Sequence, residues 1–265
     1  MLRWIMAIVL AVLVSAQAYA QQKGTEGPAL TCRAFAGAFV QLATKGGRRF
    51  PVYYTGPPSA ALGILLLPGA SGLNESMLAW ADRLGVQGYN VVVVDLYSKT
   101  YLGPHAALLT PQEIKAEARS AIHFLSSPGR KIVTLGWGPK GALQSLEASA
   151  ADPFDVSGTV LCNGGVSAPV SLLRQIKSLV LLIAFNTVTP LPKLQAFEAR
   201  LRRYGKPLVV HYYNVDPKAA DPAGPNFNSA IAQEIWGDAR TFFRKVKTLC
   251  RRCAPYQSYL FDYRN

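Results

Sequence analysis

Carboxylates are scarce in this sequence. Asp and Glu together number 15 against 28 Lys and Arg, a formal net charge of +13, and that imbalance favours anionic neighbours such as phospholipid or acidic polysaccharide surfaces. Histidine is scarcer still, with three in the whole chain, so His105, His123 and His211 are the available imidazole bases. Cysteines number four. A zinc site built on Cys250-Arg-Arg-Cys253 would need a second ligand pair at similar spacing, which the sequence does not contain. Long hydrophobic runs are missing after the first twenty residues, where the apolar stretches are only strand-sized, so no later membrane-spanning helix is expected. Disorder is also excluded, because 50% of the residues are hydrophobic and 16% charged, as in one ordinary globular domain.

The chain opens with Arg3, an apolar run from Ile5 to Val14, and Ala18-Tyr19-Ala20. That order reads as a signal peptide over residues 1–20, cleaved near Ala20, and predicts a periplasmic or secreted protein. Nucleic acid is then a poor match as a partner. The mature chain divides into an N-terminal segment (21–47), an α/β domain (48–248) and a C-terminal extension (249–265). In an oxidising compartment disulfides are expected. Cys162 ends the apolar run TVLC and reads as a buried free thiol. Cys32 is expected to bridge to Cys250 or Cys253, closing a loop worth about 4 to 5 kcal/mol in the chain-entropy model. The competing arrangement is a Cys250 to Cys253 bridge that leaves Cys32 free. Basic residues crowd into Lys193 to Lys206 and Arg240 to Arg252, where helical spacing puts many on one side.

Arg48 to Thr55 reads as an edge strand, and Leu62 to Leu67 as a strand covered on both faces. A helix is predicted from Glu75 to Gln87, stopped by Gly88, then a strand over Val91 to Val94 and a helix from Pro111. Lys131 opens a strand that runs into the Gly-rich turn Gly136-Trp137-Gly138-Pro139-Lys140, with a helix from about Lys140 to Ala151. Strands follow at Val156–Cys162, Ser178–Ala184 and Leu208–Tyr213, with helices at Pro192–Tyr204 and Ser229–Lys247. Strand and helix alternate throughout, which calls for a doubly wound, mostly parallel sheet in a single α/β domain.

LLLPGASGLNESMLAWADRLGVQGYNVVVVDLYSK, LEASAADPFDVSGTVLCNGG, QAFEARLRRYGKPLVVHYYN and the closing helix through Trp236, Thr241, Phe242 and Phe243 resemble the dienelactone hydrolases over most of Gly63 to Val246. The resemblance implies an α/β-hydrolase fold, hydrolysis of small esters or lactones, and a Cys-His-Asp triad with no cofactor. The chain departs from that pattern where the chemistry belongs. The nucleophile position of the turn is Gly138, which has no side chain, and Pro139 after it has no N–H for an oxyanion hole. The loop from Phe185 to Pro190 contains no carboxylate, and the loop from Asn214 to Asn228 contains no histidine. Pro68 and Gly69 occupy the place of a further carboxylate.

These substitutions predict a pseudoenzyme that binds a ligand or protein partner in the former pocket. The pocket is expected above the carboxyl ends of the strands, walled by Gly69, Ala70, Ser71, Tyr97, Trp137, Gly138, Pro139, Asn163, Phe185 and Asn186. Two other readings stand beside it. One is a working ester or lactone hydrolase that uses Ser71, His105 and Lys140, although each also reads as an ordinary turn serine, loop histidine or solvent-facing lysine. The other is a structural or assembly factor that uses the basic C-terminal face. His123 is expected to be half-buried packing in its helix, and His211 to lie within the last strand.

Overall fold

The computed structural model describes residues 35–68, 72–95, 109–163, 167–220 and 226–249. The chain divides into two compact units, 1–34 and 35–265, and the described residues all lie in the second. The leader, Cys32, Gly69, Ala70, Ser71, Tyr97, His105, Cys250 and Cys253 lie outside the described residues.

Eight strands form one sheet: β1 (Ala38–Ala43), β2 (Arg49–Thr55), β3 (Leu62–Leu67), β4 (Asn90–Val93), β5 (Lys131–Trp137), β6 (Val156–Cys162), β7 (Leu179–Phe185) and β8 (Leu208–Tyr213). Their spatial order is β1-β2-β4-β3-β5-β6-β7-β8, parallel from β4 onward, with β1 and β2 antiparallel at one side. Every residue of β3, β4 and β7 is buried. That burial explains their unbroken apolar sequences, since parallel strands are covered on both faces.

The helices are α1 (Glu75–Val86), α2 (Pro111–Leu125), α3 (Gly138–Ala151), α4 (Val170–Gln175), α5 (Leu191–Arg203) and α6 (Ser229–Thr248), with a 3-10 turn at Pro217–Ala220. Residues of α1 and α6 share one apolar cluster with β4, β5, β6 and β7. Those of α2, α3, α4 and α5 belong to two further clusters, so the helices lie in two layers with the sheet between them. Start signals are where the chain chemistry puts them. Asn74 accepts from the Met77 N–H at 3.0 Å to cap α1. Thr110 and Glu113 form a reciprocal capping box ahead of α2.

Three expectations need correction. The stretch RRFPVYYT is not an edge: β2 lies between β1 and β4, and β1 takes the edge. The edge strand has an exposed alternate face, so it lacks the apolar run that marks its neighbours. The helix after β5 begins at Gly138, two residues before Lys140, because Pro139 suits a first turn that needs no N–H. His123 is exposed; the buried stripe of α2 runs through Ile114, Ala118, Ala121, Ile122 and Leu125, and position 123 falls off it. Cys162 is buried and free, as expected.

Arg48 ties β2's start to α2. Its guanidinium lies 2.6 Å from Glu113 Oε1 and 3.0 Å from Glu117 Oε1. Glu117 is fully buried, with Arg48 as its ionic partner. Burial pushes its pKa up to about 7 from 4.5, against the pull of Arg48 and with a smaller push from Glu113 and Asp95. A carboxyl whose folded-state pKa is raised takes up a proton on folding. The stability it contributes is therefore present at low pH and lost as pH rises from about 4.5 through about 7. Glu117→Gln, a lasting stand-in for the protonated acid, should remove that dependence. In urea unfolding at pH 5 and pH 8, the unsubstituted protein should lose up to about 3 kcal/mol relative to the variant across that interval. The same pH slope in both proteins would contradict this role for Glu117.

Candidate functional site

The turn between β5 and α3 is built by two glycines with different requirements. A Cβ on Gly136 would lie 1.9 Å from the Gly141 carbonyl oxygen and 2.7 Å from the Ala142 nitrogen, so no side chain fits there. That contact brings α3 down onto the strand. Gly138 has φ +71°, and the place its Cβ would take is open, with nothing within 4 Å. Only its backbone conformation disfavours other residues. Pro139 and Lys140 follow, both exposed. Behind the turn, Ser145 donates to Thr134 Oγ1 at 2.9 Å, and the Thr134 hydroxyl donates to the Ser145 carbonyl at 3.1 Å. Both residues are fully buried, and the pair pins α3 to β5 with its polar atoms satisfied.

Along the carboxyl ends of the strands the register aligns Trp137 with Cys162, Cys162 with Ile183, and Ile183 with His211. Trp137, Gly138, Pro139, Asn163 and Asn186 therefore lie at the carboxyl ends of adjacent strands. Asn163 turns the chain with φ 59° and donates its N–H to the Ile183 carbonyl at 2.9 Å. Asn186 donates its N–H to the Tyr213 carbonyl at 3.0 Å, while its side-chain oxygen is buried without a partner. Phe185 is placed differently: its ring is buried and stacked on Tyr213, with centroids 5.8 Å apart. Gln144, in the second turn of α3, is fully buried, and neither amide atom has a partner.

One pairing was not anticipated. His211 donates through Nδ1 to Asp238 Oδ2 at 2.9 Å, and the Tyr213 hydroxyl donates to the same oxygen. A histidine oriented by a carboxylate resembles the base half of a hydrolytic site. Cys162, in the same row, is two strands away, about 10 Å at ordinary strand spacing. Burial also pushes its thiol well above the usual range, so it stays protonated. A His-Asp pair spanning β8 and α6 leaves no sequence signal, because the two residues lie on separate elements. Among the described residues, no group of three or more His, Cys, Asp or Glu is placed to hold a metal ion.

A groove of about 280 Å³ lies between α1 and α6, away from the strand ends. It is lined by Trp80, Arg83, Phe227, Trp236 and Arg240, among others. Trp80 joins it to the turn, with its ring 6.1 Å from Trp137 and 4.2 Å from Trp236.

A mostly parallel sheet between two helical layers, with a sharp glycine turn leading from β5 into α3, is the architecture of an α/β-hydrolase. Residues 50–247 match the model of the dienelactone hydrolase family, and the chain belongs to that family. Solved structures agree on the fold. A candidate dienelactone hydrolase of Klebsiella pneumoniae subsp. pneumoniae aligns at TM-score 0.65 and 13% identity, over 80% of this chain and 100% of that one. The dienelactone hydrolase-like promiscuous phosphotriesterase P91 from metagenomic libraries aligns at 0.58 and 19%, over 80% and 99%. The Pyrococcus furiosus esterase Pf2001 aligns at 0.62 and 14%, over 83% and 99%. No curated protein matches the sequence.

The two glycines should respond differently to substitution. Gly136→Ala forces backbone apart and should cost more than about 3 kcal/mol. Gly138→Ala meets only the left-handed backbone penalty, about 1–2 kcal/mol. Urea unfolding of the two variants tests this, and equal losses would contradict the close contact of α3 with β5.

Proposed function

We propose that this protein is a dienelactone-hydrolase-like pseudoenzyme, exported after removal of residues 1–20, that binds a small ligand or protein partner at the former active-site pocket. The observation that carries the reading is Gly138. It stands where the family places its nucleophile, in an open left-handed turn, and offers no atom that could attack an ester. Pro139 removes the backbone N–H that would stabilise the oxyanion. The segments after β7 and β8 supply neither the acid nor the histidine of the family's triad, and the thiol in the row of the His211–Asp238 pair, Cys162, lies two strands away and is held protonated by burial.

The remaining edge is suited to binding. Trp137 gives an aromatic wall at the strand ends, and Asn163 and Asn186 supply amides. A glycine at position 138 leaves room for ligand bulk where the family has a side chain. Ligands of the ester, lactone or carboxylic acid kind are compatible with the basic charge of the chain.

Purified protein lacking residues 1–20, assayed with a panel of small esters and lactones, should show no turnover above that of a Ser71→Ala, His105→Ala, Lys140→Ala triple variant. Hydrolysis that the triple variant abolishes would overturn the pseudoenzyme reading in favour of a rebuilt catalytic site.

A further inference from the structure

The groove between α1 and α6 combines features that no part of the proposed strand-end pocket shares. Its floor is apolar and rigid: Trp80 is 4% exposed, Leu84 1% and Ala232 4%, and the Trp80 and Trp236 rings lie 4.2 Å apart at centroid. Phe227 closes one side. Over this floor lie two guanidinium groups, from Arg83 in the last turn of α1 and Arg240 in the second half of α6. Arg83 sits 5.5 Å from the Phe227 ring and 6.0 Å from the Trp80 ring. The other lining side chains, Gln87, Ser229 and Gln233 among them, are neutral.

Among the described residues no carboxylate lines the groove, and neither Arg83 nor Arg240 forms an ion pair. The nearby acids are committed elsewhere: Asp82 accepts from the Tyr53 hydroxyl and the Ala36 N–H, and Asp238 accepts from His211 and Tyr213. Arg244 and Lys247 add to the positive field along the same helix, as the Arg240 and Arg244 pull on the Tyr89 hydroxyl and the Lys247 contact with its ring show. Two unpaired guanidinium groups above an aromatic floor match one ligand shape, a flat apolar body ending in an anion. Guanidinium binds carboxylate through paired N–H donors, and tryptophan faces accept a ring. The groove is small for a drug-sized molecule, which limits the body to about one ring.

We propose that this groove is a binding site for a small aromatic carboxylate, distinct from the strand-end pocket. The carboxylate lies between Arg83 and Arg240, and the ring packs on Trp80, Trp236 and Phe227. Because Trp80 also touches Trp137, occupancy of the groove reaches the glycine turn through two ring contacts.

Phenylacetate titrated into the protein, followed by tryptophan fluorescence and by NMR line shifts, tests the site. Saturable binding is expected, weakened by about tenfold or more in Arg83→Gln/Arg240→Gln, which removes both charges at exposed or rim positions. The uncharged analogue phenylacetamide should bind about tenfold more weakly than the acid. Far-UV circular dichroism of the double variant should be unchanged. No saturation by about 10 mM phenylacetate, equal affinity for the amide, or full binding by the double variant overturns the proposal. A crystal soaked in phenylacetate should show it between α1 and α6; density only at the strand ends would overturn the groove and leave the pocket intact.

Discussion

One backbone contact organises the molecule: the carbonyl of Gly141 lies where a side chain on Gly136 would be. It fixes how closely α3 approaches β5, and the strand can leave the sheet only through a sharp turn, with Gly138 in the left-handed region. The hydroxyl pair of Thr134 and Ser145 holds the same interface from beneath. This turn is the costly part of an α/β-hydrolase, since it demands a glycine at a buried position and backbone strain at the next-but-one residue. The chain keeps both requirements while the position they serve has no side chain. Retained geometry without a nucleophile is what a binding role at the old site would need, because the turn still shapes the strand ends around Trp137 and Asn163.

Charge and aromatic side chains are distributed unevenly around that frame. The basic residues of α5 and the turn after it are partly engaged within the protein: Arg200 donates to the Ala168 carbonyl, Arg202 pairs with Glu198, and Lys206 donates to the Arg174 and Ile176 carbonyls. Those of α6 face outward. The late basic residues therefore separate into a set bonded to the protein's own carbonyl and carboxylate groups and a set exposed along α6, and Arg240 of the exposed set borders the tryptophan cluster of α1 and α6. Glu117 represents the opposite case, a carboxyl buried under Arg48 whose charge is disfavoured by its surroundings. The excess positive charge at the surface follows from how few acids this chain has, whereas the inclination of Glu117 to neutrality follows from its burial.

The parallel core was legible in the sequence because buried strands such as LGILLL and LVLLIAF carry no polar interruptions. The helices were legible from periodic apolar positions and from Asn74 and Thr110 at their starts. β1 was not, since an edge strand with one exposed face has no distinctive pattern and is defined by its pairing with β2. The proposed loss of the triad rests on residue types missing from the places where the family resemblance puts them. Phe185 was assigned to the pocket wall by its position at a strand end, yet alternation along β7 turns its ring onto Tyr213. The α1/α6 groove and the His211–Asp238 pair left no trace, because each joins residues far apart in the chain whose meeting depends on the tertiary fold.

The proposed pseudoenzyme reading rests on a turn whose nucleophile position, Gly138, has no side chain. Intact-mass spectrometry after incubation with an excess of an aryl fluorophosphonate, which phosphonylates activated hydroxyl and amine nucleophiles, tests it most directly. The account predicts an unchanged mass. A stoichiometric adduct on a single residue, abolished by Ser71→Ala or Lys140→Ala, would contradict it.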